Sequence, residues 1–305
     1  MNLKEEYVDE RRPRPGRSSA KPDRDQDMTI PCYYINLDRS PERAASFRAE
    51  CARVGIEPTR VAAVDGRTID AAEQARLSSL KSGRLGLGPG EMACYLSHRK
   101  VWEMIRDGDD EWAFVAEDDI HFSDDAGVFF NDTSWLPGAD VDIIKAETAR
   151  QRVRLSPKLH AAAHGHEMRL LQSYHGGTAG YFVSRPGAAK LLELTENVCD
   201  ALDHVMFHEW IGVVDKLSIL QLDPALCIQD YLVAKPASRI GFKSTLDTDR
   251  AVSSADAGLK KRPKGLALIK REVSRPFSRL RASLRALADN VSGVAVVKKI
   301  PIRGI

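Results

Sequence analysis

Residues 112–122, WAFVAEDDIHF, constrain the fold of this chain more than any other segment. Residues 112–116 are continuously apolar, which is the pattern of a strand buried on both faces of a parallel sheet. Three carboxylates follow at once, Glu117, Asp118 and Asp119. Because ligands of open α/β sheets bind beyond the carboxyl ends of the strands, these acids should border a ligand crevice.

Three adjacent carboxylates repel each other, and a divalent cation would offset that repulsion. Hard carboxylate oxygens suit Mg²⁺ or Mn²⁺, which can also bridge a diphosphate. Glu117, Asp118 and Asp119 are therefore predicted to be metal ligands. The residues alone leave a second interpretation open, a solvated turn after a strand, because acids are common in turns.

The segments before this motif have the pattern of an α/β sheet. An apolar run at residues 31–38 predicts a strand, and Ser40, Pro41 and Gly55 mark the start and the end of a helix. A second short strand is predicted at residues 60–64. This strand–helix–strand opening favours parallel pairing.

Helices and strands continue to alternate after it. The predicted elements are, in order, a helix at residues 89–106, strands at 141–145 and 179–183, a helix that starts at Pro186, a helix capped by Asp200 that carries Asp203, Phe207 and Trp210, and short strands around Ile219 and Ile228. The sequence thus predicts an α/β fold whose sheet is flanked by helices. The ordered part of the chain is predicted to end near Lys235.

Composition divides the chain into three parts. Residues 1–29 are charged and Pro-rich, which is typical of a disordered segment. Residues 30–240 form the predicted domain, and residues 241–305 form a basic, partly amphipathic tail. Residues 259–305 contain 13 Lys/Arg against 2 Asp/Glu, whereas residues 1–258 contain 32 against 41. An acidic body with a basic tail predicts an anionic partner for the tail.

The tail also carries an apolar stripe flanked by arginines. Such a helix is typical of a membrane interface, where basic side chains reach anionic headgroups, so residues 259–305 are predicted to contact a membrane peripherally. The alternative is a helix that docks on the acidic body of the protein itself. Nucleic acid is not an expected partner, because the tail has one aromatic residue and no recognisable module. The residues concerned are Phe277, Leu280, Leu284 and Leu287, with Arg281 and Arg285.

Neither the N-terminus nor the cysteines indicate export. Residues 1–27 lack the apolar core of a signal peptide, and no apolar run approaches the about 20 residues that a membrane span needs. The five cysteines have no CxxC spacing, which argues against a disulfide framework and a thiolate zinc site. We expect a cytoplasmic protein, peripheral on the inner face of the cell membrane if the tail binds lipid.

Two further segments carry candidate site residues. The helix predicted within residues 88–102 presents Glu91 and His98 on one face, about 10 Å apart along the axis, which is too far to chelate one ion. A hydrogen-bonded structural histidine is the alternative for His98. Residues 175–180, HGGTAG, place three glycines before a strand, where the backbone can approach a ligand or turn tightly. No dinucleotide, P-loop or G-x-S-x-G motif is present.

Six segments in sequence resemble the family 25 glycosyltransferases, the lipooligosaccharide galactosyltransferase group that also includes the collagen galactosyltransferase domains. Together they cover about residues 30–235. They are YYINLDRSPER (33–43), VAAVDGR (61–67), GPGEMACYLSHRKVW (88–102), FVAEDDI (114–120), GGTAGYFVSRPGAAKL (176–191) and LDPALCIQ (222–229).

The resemblance implies a GT-A-like, Rossmann-type sheet that binds a nucleotide-sugar, usually UDP-galactose or a relative. By position, Asn36, Asp38 and Arg39 would lie near the nucleotide, and Asp65 would close the same pocket. In the glycine segment, Gly177 and Thr178 are assigned to donor binding.

The resemblance also implies the chemistry. The acids at 117–119 would stand in for the family's metal-binding Asp-x-Asp and hold Mn²⁺ or Mg²⁺. An inverting displacement needs a carboxylate base for the acceptor proton, and Asp203 is the predicted base, with Glu91 and His98 as further catalytic candidates. The alternative for Asp203 is an acid placed in the first turn of a helix by the macrodipole.

The sequence therefore predicts a hexosyltransferase, with galactose as the first candidate sugar, that uses a UDP-sugar donor and a glycan acceptor such as lipopolysaccharide or lipooligosaccharide. One alternative is an inactive family member that serves as a glycan-binding or scaffolding subunit, which retention of all three acids disfavours. Another is a metal-dependent hydrolase, which lacks an accompanying histidine ligand cluster.

Overall fold

An eight-stranded mixed sheet forms the centre of the protein. The computed structural model of the chain describes residues 29–82, 87–138, 140–233, 284 and 286–305. The elements in chain order are β1 (Cys32–Asn36), α1 (Pro41–Arg53), β2 (Pro58–Ala62), α2 (Ala71–Ser79), α3 (Pro89–Asp107), β3 (Trp112–Glu117), β4 (Ile120–Phe122), α4 (Val128–Asn131), β5 (Ile143–Lys145), β6 (Arg152–Leu155), β7 (Ala161–Ala163), β8 (His166–Leu170), β9 (Gly180–Ser184), α5 (Arg185–Leu194), α6 (Leu202–Phe207), β10 (Ile219–Asp223), β11 (Cys227–Gln229) and β12 (Val296–Lys299).

Across the central sheet the strand order is β2-β1-β3-β9-β5-β10-β8-β7. Two smaller two-stranded sheets pair β11 with β4 and β12 with β6. Helices cover both faces of the central sheet, which explains the continuous apolar run in β3. Phe114 packs with the residues of α1 and α4 on one face, and its neighbour Val115 packs with α3 and α5 on the other. The α/β fold predicted from the sequence is confirmed.

The predicted opening unit is present. Cys32 of β1 pairs in parallel with Pro58 of β2, and Ile35 pairs in parallel with Glu117 of β3. Between β1 and β2, Ser40 stands at the N-cap of α1, although its side chain makes no capping hydrogen bond. Parallel pairing brings the carboxyl ends of β1, β2 and β3 to one edge of the sheet.

The sheet is not parallel throughout, which corrects the sequence-based expectation. β9 runs antiparallel to both of its neighbours, β3 and β5. A strand buried on both faces has the same apolar pattern in either direction, so the local sequence does not define its orientation. Ala116 pairs with Gly180, and the glycine segment before β9 therefore lies at the edge where β3 ends.

The helix predicted to follow Asp200 is shorter than expected and has a different cap. α6 begins after Ala201, and Trp210 lies beyond its last residue. Asp200 is buried, and its carboxylate accepts hydrogen bonds from Ser82 Oγ at 2.9 Å and from the Ala201 amide at 2.6 Å. Because these contacts occupy the carboxylate, Asp200 anchors the preceding loop instead of capping the helix.

The end of the predicted tail is part of the folded body. β12 pairs antiparallel with β6. Lys298 Nζ lies 2.6 Å from Asp223 Oδ2, and Arg303 Nη1 lies 2.9 Å from Asp125 Oδ2. Residues 286–305 therefore belong to the folded body, through a strand that was not predicted, and order does not end near residue 235.

Most of the predicted amphipathic stripe lies outside the described residues. Leu284 and Leu287 are described, and they are 58% and 60% exposed. The described residues do not include Phe277, Leu280, Arg281 or Arg285. They also do not include the predicted disordered segment before Thr29. Among the described helices, none is long and apolar enough to cross a membrane.

Candidate active site

The acidic turn borders a cleft at the edge of the central sheet. Glu117 ends β3, and Asp118 and Asp119 form the turn that leads into β4. The cleft lies between the ends of β1 and β2 and the N-terminal half of α3, and Glu117 and Asp118 line it. The cleft is open to solvent, and its empty volume of about 660 Å³ includes part of that solvent.

Arg43 of α1 offsets part of the charge of this turn. Its Nε donates to Asp118 Oδ1 at 2.8 Å, and its Nη2 donates to the same oxygen and lies 3.3 Å from Asp119 Oδ2. Asn36 Nδ2 donates to the other oxygen of Asp118 at 2.6 Å. One guanidinium faces three acids, so the turn still contains more carboxylates than cations.

Glu117 is the acid most affected by its surroundings. It accepts hydrogen bonds from Thr178 Oγ1 at 3.0 Å and from Gln229 Nε2 at 3.3 Å. Burial, together with repulsion by Asp119 and Glu147, raises the pKa of Glu117 to about 8. A carboxyl group in this state is costly to ionise, and a nearby cation would lower that cost.

Asp119 is buried and incompletely paired. Its Oδ1 has no hydrogen-bond partner among the described residues. Burial raises the pKa of Asp119, although the charge of Arg43 acts in the opposite direction. An unpartnered carboxylate oxygen beside other acids fits a divalent cation, and the all-oxygen set suits Mn²⁺ or Mg²⁺.

A second set of possible metal ligands shares Glu117. Ligand atoms of Cys94, His98 and Glu117 all lie within 4.8 Å of one another. The Tyr181 hydroxyl lies 2.9 Å from His98 Nδ1 and accepts from Trp102 Nε1, whereas His98 Nε2 has no partner in the described chain and lies 3.9 Å from Glu117 Oε1. Burial lowers the pKa of His98 to about 3. Cysteine and histidine favour zinc over magnesium or manganese, and the sequence analysis did not anticipate this set.

Of the residues expected near the nucleotide, Arg39 lines the cleft. Its Nε lies 2.7 Å from Asp65 Oδ2, so Asp65 orients the guanidinium. Burial acts to raise the pKa of Asp65, but hydrogen bonds from Arg39 and from the Arg67 amide hold it below its ordinary value. Asp65 does not itself line the cleft and meets it through Arg39, and donor binding by both residues stays a prediction.

Asn36 and Asp38 have other surroundings. Asn36 is buried, and its amide contacts Asp118, the Ser40 carbonyl and Arg60. The Asp38 side chain is 80% exposed and pairs with Arg60 at 2.6 Å. Asn36 therefore positions the acidic turn, and Asp38 is not among the residues that line the cleft.

The glycine segment before β9 links the acidic turn to Asp203. Thr178 contacts Glu117 as described above, and the Gly177 amide lies 3.5 Å from Asp203 Oδ2. Gly177 has a φ of +86°, and a Cβ atom there would lie 2.7 Å from Glu147 Oε2. Both the backbone conformation and the lack of space require glycine at this position. Gly177 and Thr178 thus lie between the two predicted sets of catalytic groups.

Asp203 occupies the first turn of α6. Its Oδ1 accepts from the His204 amide at 3.0 Å, and its Oδ2 accepts from the Tyr174 hydroxyl. These donors are neutral and fix the orientation of the carboxylate. Gly177 contacts Asp203, and its neighbour Thr178 contacts Glu117. Two adjacent residues therefore connect the two carboxylates.

Glu91 makes a contact at the start of α3, and its catalytic role stays a prediction. Its Oε2 accepts from the amide of the N-cap residue Gly88 at 3.1 Å. Glu91 is 7% exposed and is not among the residues that line the cleft, whereas His98 is. The structure therefore separates these two candidates, which lie on one helix.

A buried ion pair next to the glycine segment was not predicted from the sequence. Lys145 Nζ lies 2.7 Å from Glu147 Oε1 and 2.5 Å from the Gly177 carbonyl oxygen. The Ala179 amide also donates to Glu147 Oε1, at 3.1 Å. Burial raises the pKa of Glu147, although Lys145 opposes the shift. The available signal was a lysine and a glutamate two positions apart in an extended, otherwise apolar segment, where they project to the same side.

An α/β sheet with an acidic cleft beyond its parallel strand ends defines a class of proteins that bind ligands at that edge. A family model described as glycosyltransferase family 25 (LPS biosynthesis protein) matches residues 29–206. The chain belongs to glycosyltransferase family 25, which confirms the predicted family and the predicted enzyme class.

Named relatives agree with this assignment. The lipooligosaccharide biosynthesis protein lex-1 of Haemophilus influenzae is 28% identical over 231 residues, 73% of this chain and 75% of that protein. The lacto-N-neotetraose biosynthesis glycosyltransferase LgtE of Neisseria meningitidis is 32% identical over 169 residues, 52% of this chain and 60% of that protein. Among solved structures, a glycosyltransferase involved in the glycosylation of the major capsid of PBCV-1 is similar over 74% of this chain and 100% of that chain. The TM-score is 0.35 and the sequence identity is 11%.

Proposed function

We propose that this glycosyltransferase transfers a hexose from a UDP-sugar to a glycan acceptor of lipopolysaccharide or lipooligosaccharide, with inversion at the anomeric carbon. The acceptor class is suggested by the family description and by the name of the Haemophilus relative. Galactose is the first candidate sugar. The nucleotide diphosphate would occupy the cleft lined by Arg39, Glu117 and Asp118.

One observation carries the proposal: two carboxylate sites lie on either side of a two-residue segment. Glu117 contacts Thr178, and Asp203 approaches the Gly177 amide. A displacement needs separate groups for the leaving diphosphate and for the attacking hydroxyl, and they must face a common reacting centre. Two adjacent residues, Gly177 and Thr178, would hold the two carboxylates at such a spacing.

In the proposed reaction, Asp203 Oδ2 removes the proton of the acceptor hydroxyl. The hydroxyl oxygen bonds to the anomeric carbon, and the carbon–oxygen bond to the diphosphate breaks, so its electron pair leaves with UDP. The Tyr174 hydroxyl holds the Asp203 carboxylate in place. The conformation of Gly177 keeps its backbone close to Asp203 and to Glu147.

Glu117 and Asp119 would hold a divalent cation, Mn²⁺ or Mg²⁺, which supplies positive charge to the leaving diphosphate. Asp118 is held by Arg43 and Asn36, which leaves the other two acids as the proposed contacts. Arg43 keeps the turn folded in the absence of the cation.

The basic residues 259–283 are proposed to contact an anionic membrane surface, where a lipid-linked acceptor would lie.

The test is a panel of UDP-hexoses and UDP-N-acetylhexosamines, with UDP release measured in the presence and absence of Mn²⁺. We expect slow hydrolysis of one donor, stimulated by Mn²⁺, and product of inverted configuration by NMR once an acceptor is supplied. Asp119→Asn should abolish turnover at limiting Mn²⁺, whereas the exposed Asp109→Asn should not. Failure of every donor to turn over, or wild-type rates in folded Asp119→Asn, would contradict the proposal.

A further inference from the structure

Four aromatic rings form a continuous cluster next to Asp203. The ring centroids of His208 and Trp210 are 3.8 Å apart, those of Tyr174 and His208 are 4.9 Å apart, and His204 lies 5.3 Å from Trp210. We call these rings the aromatic platform. His204 belongs to α6, His208 and Trp210 follow that helix, and Tyr174 lies in the loop before β9.

Trp210 is unusual among the tryptophans of this chain. The chain has four, all described, and Trp102, Trp112 and Trp135 are at most 7% exposed, whereas Trp210 is 59% exposed. Keeping a large apolar ring in water is unfavourable, so an exposed, preordered tryptophan commonly marks a contact surface. The close, tilted contact with His208 orients the ring.

The platform is connected directly to the proposed chemistry. The Tyr174 hydroxyl donates to Asp203 Oδ2, and the Gly177 amide approaches the same oxygen. The donor-side acid Glu117 is reached through the next residue, Thr178. The platform therefore adjoins Asp203, and the glycine segment connects Asp203 to the donor-side acid.

A hexose ring matches this surface chemically. Its axial C–H groups form an apolar face that stacks on an aromatic ring, while its hydroxyl groups need hydrogen-bond partners at the rim. The Trp210 amide donates to His208 Nδ1 at 3.2 Å, so a neutral His208 carries its hydrogen on Nε2 and presents a donor there. Trp and His together offer an apolar plane with a polar edge.

We propose that the aromatic platform of Tyr174, His204, His208 and Trp210 binds the terminal hexose of the acceptor glycan and presents its hydroxyl to Asp203. This inference rests on the proposed function and extends it to the second substrate. Trp210 is the stacking surface, His208 sets its orientation, and Tyr174 joins the bound sugar to the base.

Trp210 provides a direct assay, because it is the one exposed tryptophan among the four described. Iodide quenching of tryptophan fluorescence in the full-length protein should report Trp210 almost alone. We expect lactose or N-acetyllactosamine to shield it and to lower the quenching constant, while sorbitol at equal concentration does not. Equal quenching with and without every sugar in the series would overturn the proposal.

Kinetics of the full chain give a second test that separates the two substrates. Trp210→Ala should raise the acceptor KM about tenfold or more, the size expected for the loss of one aromatic contact, with the donor KM and donor hydrolysis unchanged. Trp210→Phe should restore most of the acceptor affinity. The exposed apolar residue Leu159 provides a matched control as Leu159→Ala.

The outcomes distinguish this inference from the proposed function. Donor hydrolysis with an unchanged acceptor KM in Trp210→Ala would overturn the platform and leave the donor site intact. Absence of turnover in the wild type would refute the proposed function, and the quenching assay would then decide saccharide binding by itself. A proportional fall of both activities with folded protein would assign Trp210 a structural role only.

Discussion

Arg43 Nε donates to Asp118 Oδ1 across 2.8 Å and so joins α1 to the acidic turn after β3. Both side chains are about nine-tenths buried, at 9% and 10% exposure. A buried carboxylate without a cation is strongly disfavoured. The fold therefore supplies one built-in cation to a turn that we propose binds a second one from solution.

Substitution of Arg43 by alanine should destabilise the protein and make it dependent on a divalent cation. Loss of one partner of a buried ion pair costs about 3–5 kcal/mol, because the remaining charge is uncompensated. We expect a large fall in the melting temperature of Arg43→Ala, partly recovered by Mn²⁺. The control is Arg76→Ala, which removes one partner of an exposed ion pair. This variant should change the melting temperature little and show no additional Mn²⁺ effect. Equal Mn²⁺ responses of the two variants would show that Arg43 does not share its acids with a metal.

Asp203→Asn should lower the transfer rate by about 10²–10⁴-fold, the usual size of a general-base contribution. The donor KM should stay the same, because the base acts on the acceptor. Asparagine keeps one acceptor oxygen for the Tyr174 hydroxyl, so the melting temperature should change little. The exposed Asp215→Asn is the control. Full transfer activity in Asp203→Asn would remove this residue from the mechanism.

Ile300→Ala should destabilise the protein by about 2–4 kcal/mol, although Ile300 lies in the basic C-terminal region. Ile300 is 2% exposed and packs with Val153 and Leu155 beneath β12. Urea unfolding provides the measurement. Val291→Ala, at a site 81% exposed, should have a much smaller effect. Similar small changes in both variants would mean that the C-terminal strand does not pack as described.

Stability should fall as the pH drops below about 6.5, in part through His175. Burial lowers the pKa of His175 to about 3, and its ring accepts from the Ala149 amide while Nδ1 faces Gln221 Oε1. The unfolded chain takes up a proton near pH 6.5 and the folded chain does not, so the stabilisation present above pH 6.5 is lost towards pH 3 at about 1.4 kcal/mol per pH unit.

His175→Asn tests this pH dependence. The variant should be less stable at neutral pH, but its free energy of unfolding should fall less steeply between pH 6.5 and 4. The exposed His160→Asn should keep the wild-type slope. Parallel slopes for wild type and His175→Asn would contradict the assignment.

Local patterns were sufficient for the elements nearest the cleft. The helix predicted at residues 89–106 is α3, which the structure places at Pro89–Asp107. The apolar run at 112–116 located β3, and its acids had to follow at the strand's end. By contrast, β6 and β12 are short, half-polar strands whose pairing joins residues about 140 positions apart, and no local signal specifies such a partner.

The sequence by itself determined that an acidic turn would end a buried strand, because the apolar run and the acids that follow it are adjacent in the chain. Only the tertiary structure decided what each acid contacts. Asp118 meets Asn36 and Arg43 from positions 82 and 75 residues away, and Glu117 meets Thr178 from 61 residues away. Such contacts depend on how whole strands and helices pack, so charge, burial and hydrogen bonding at the site are properties of the assembled sheet.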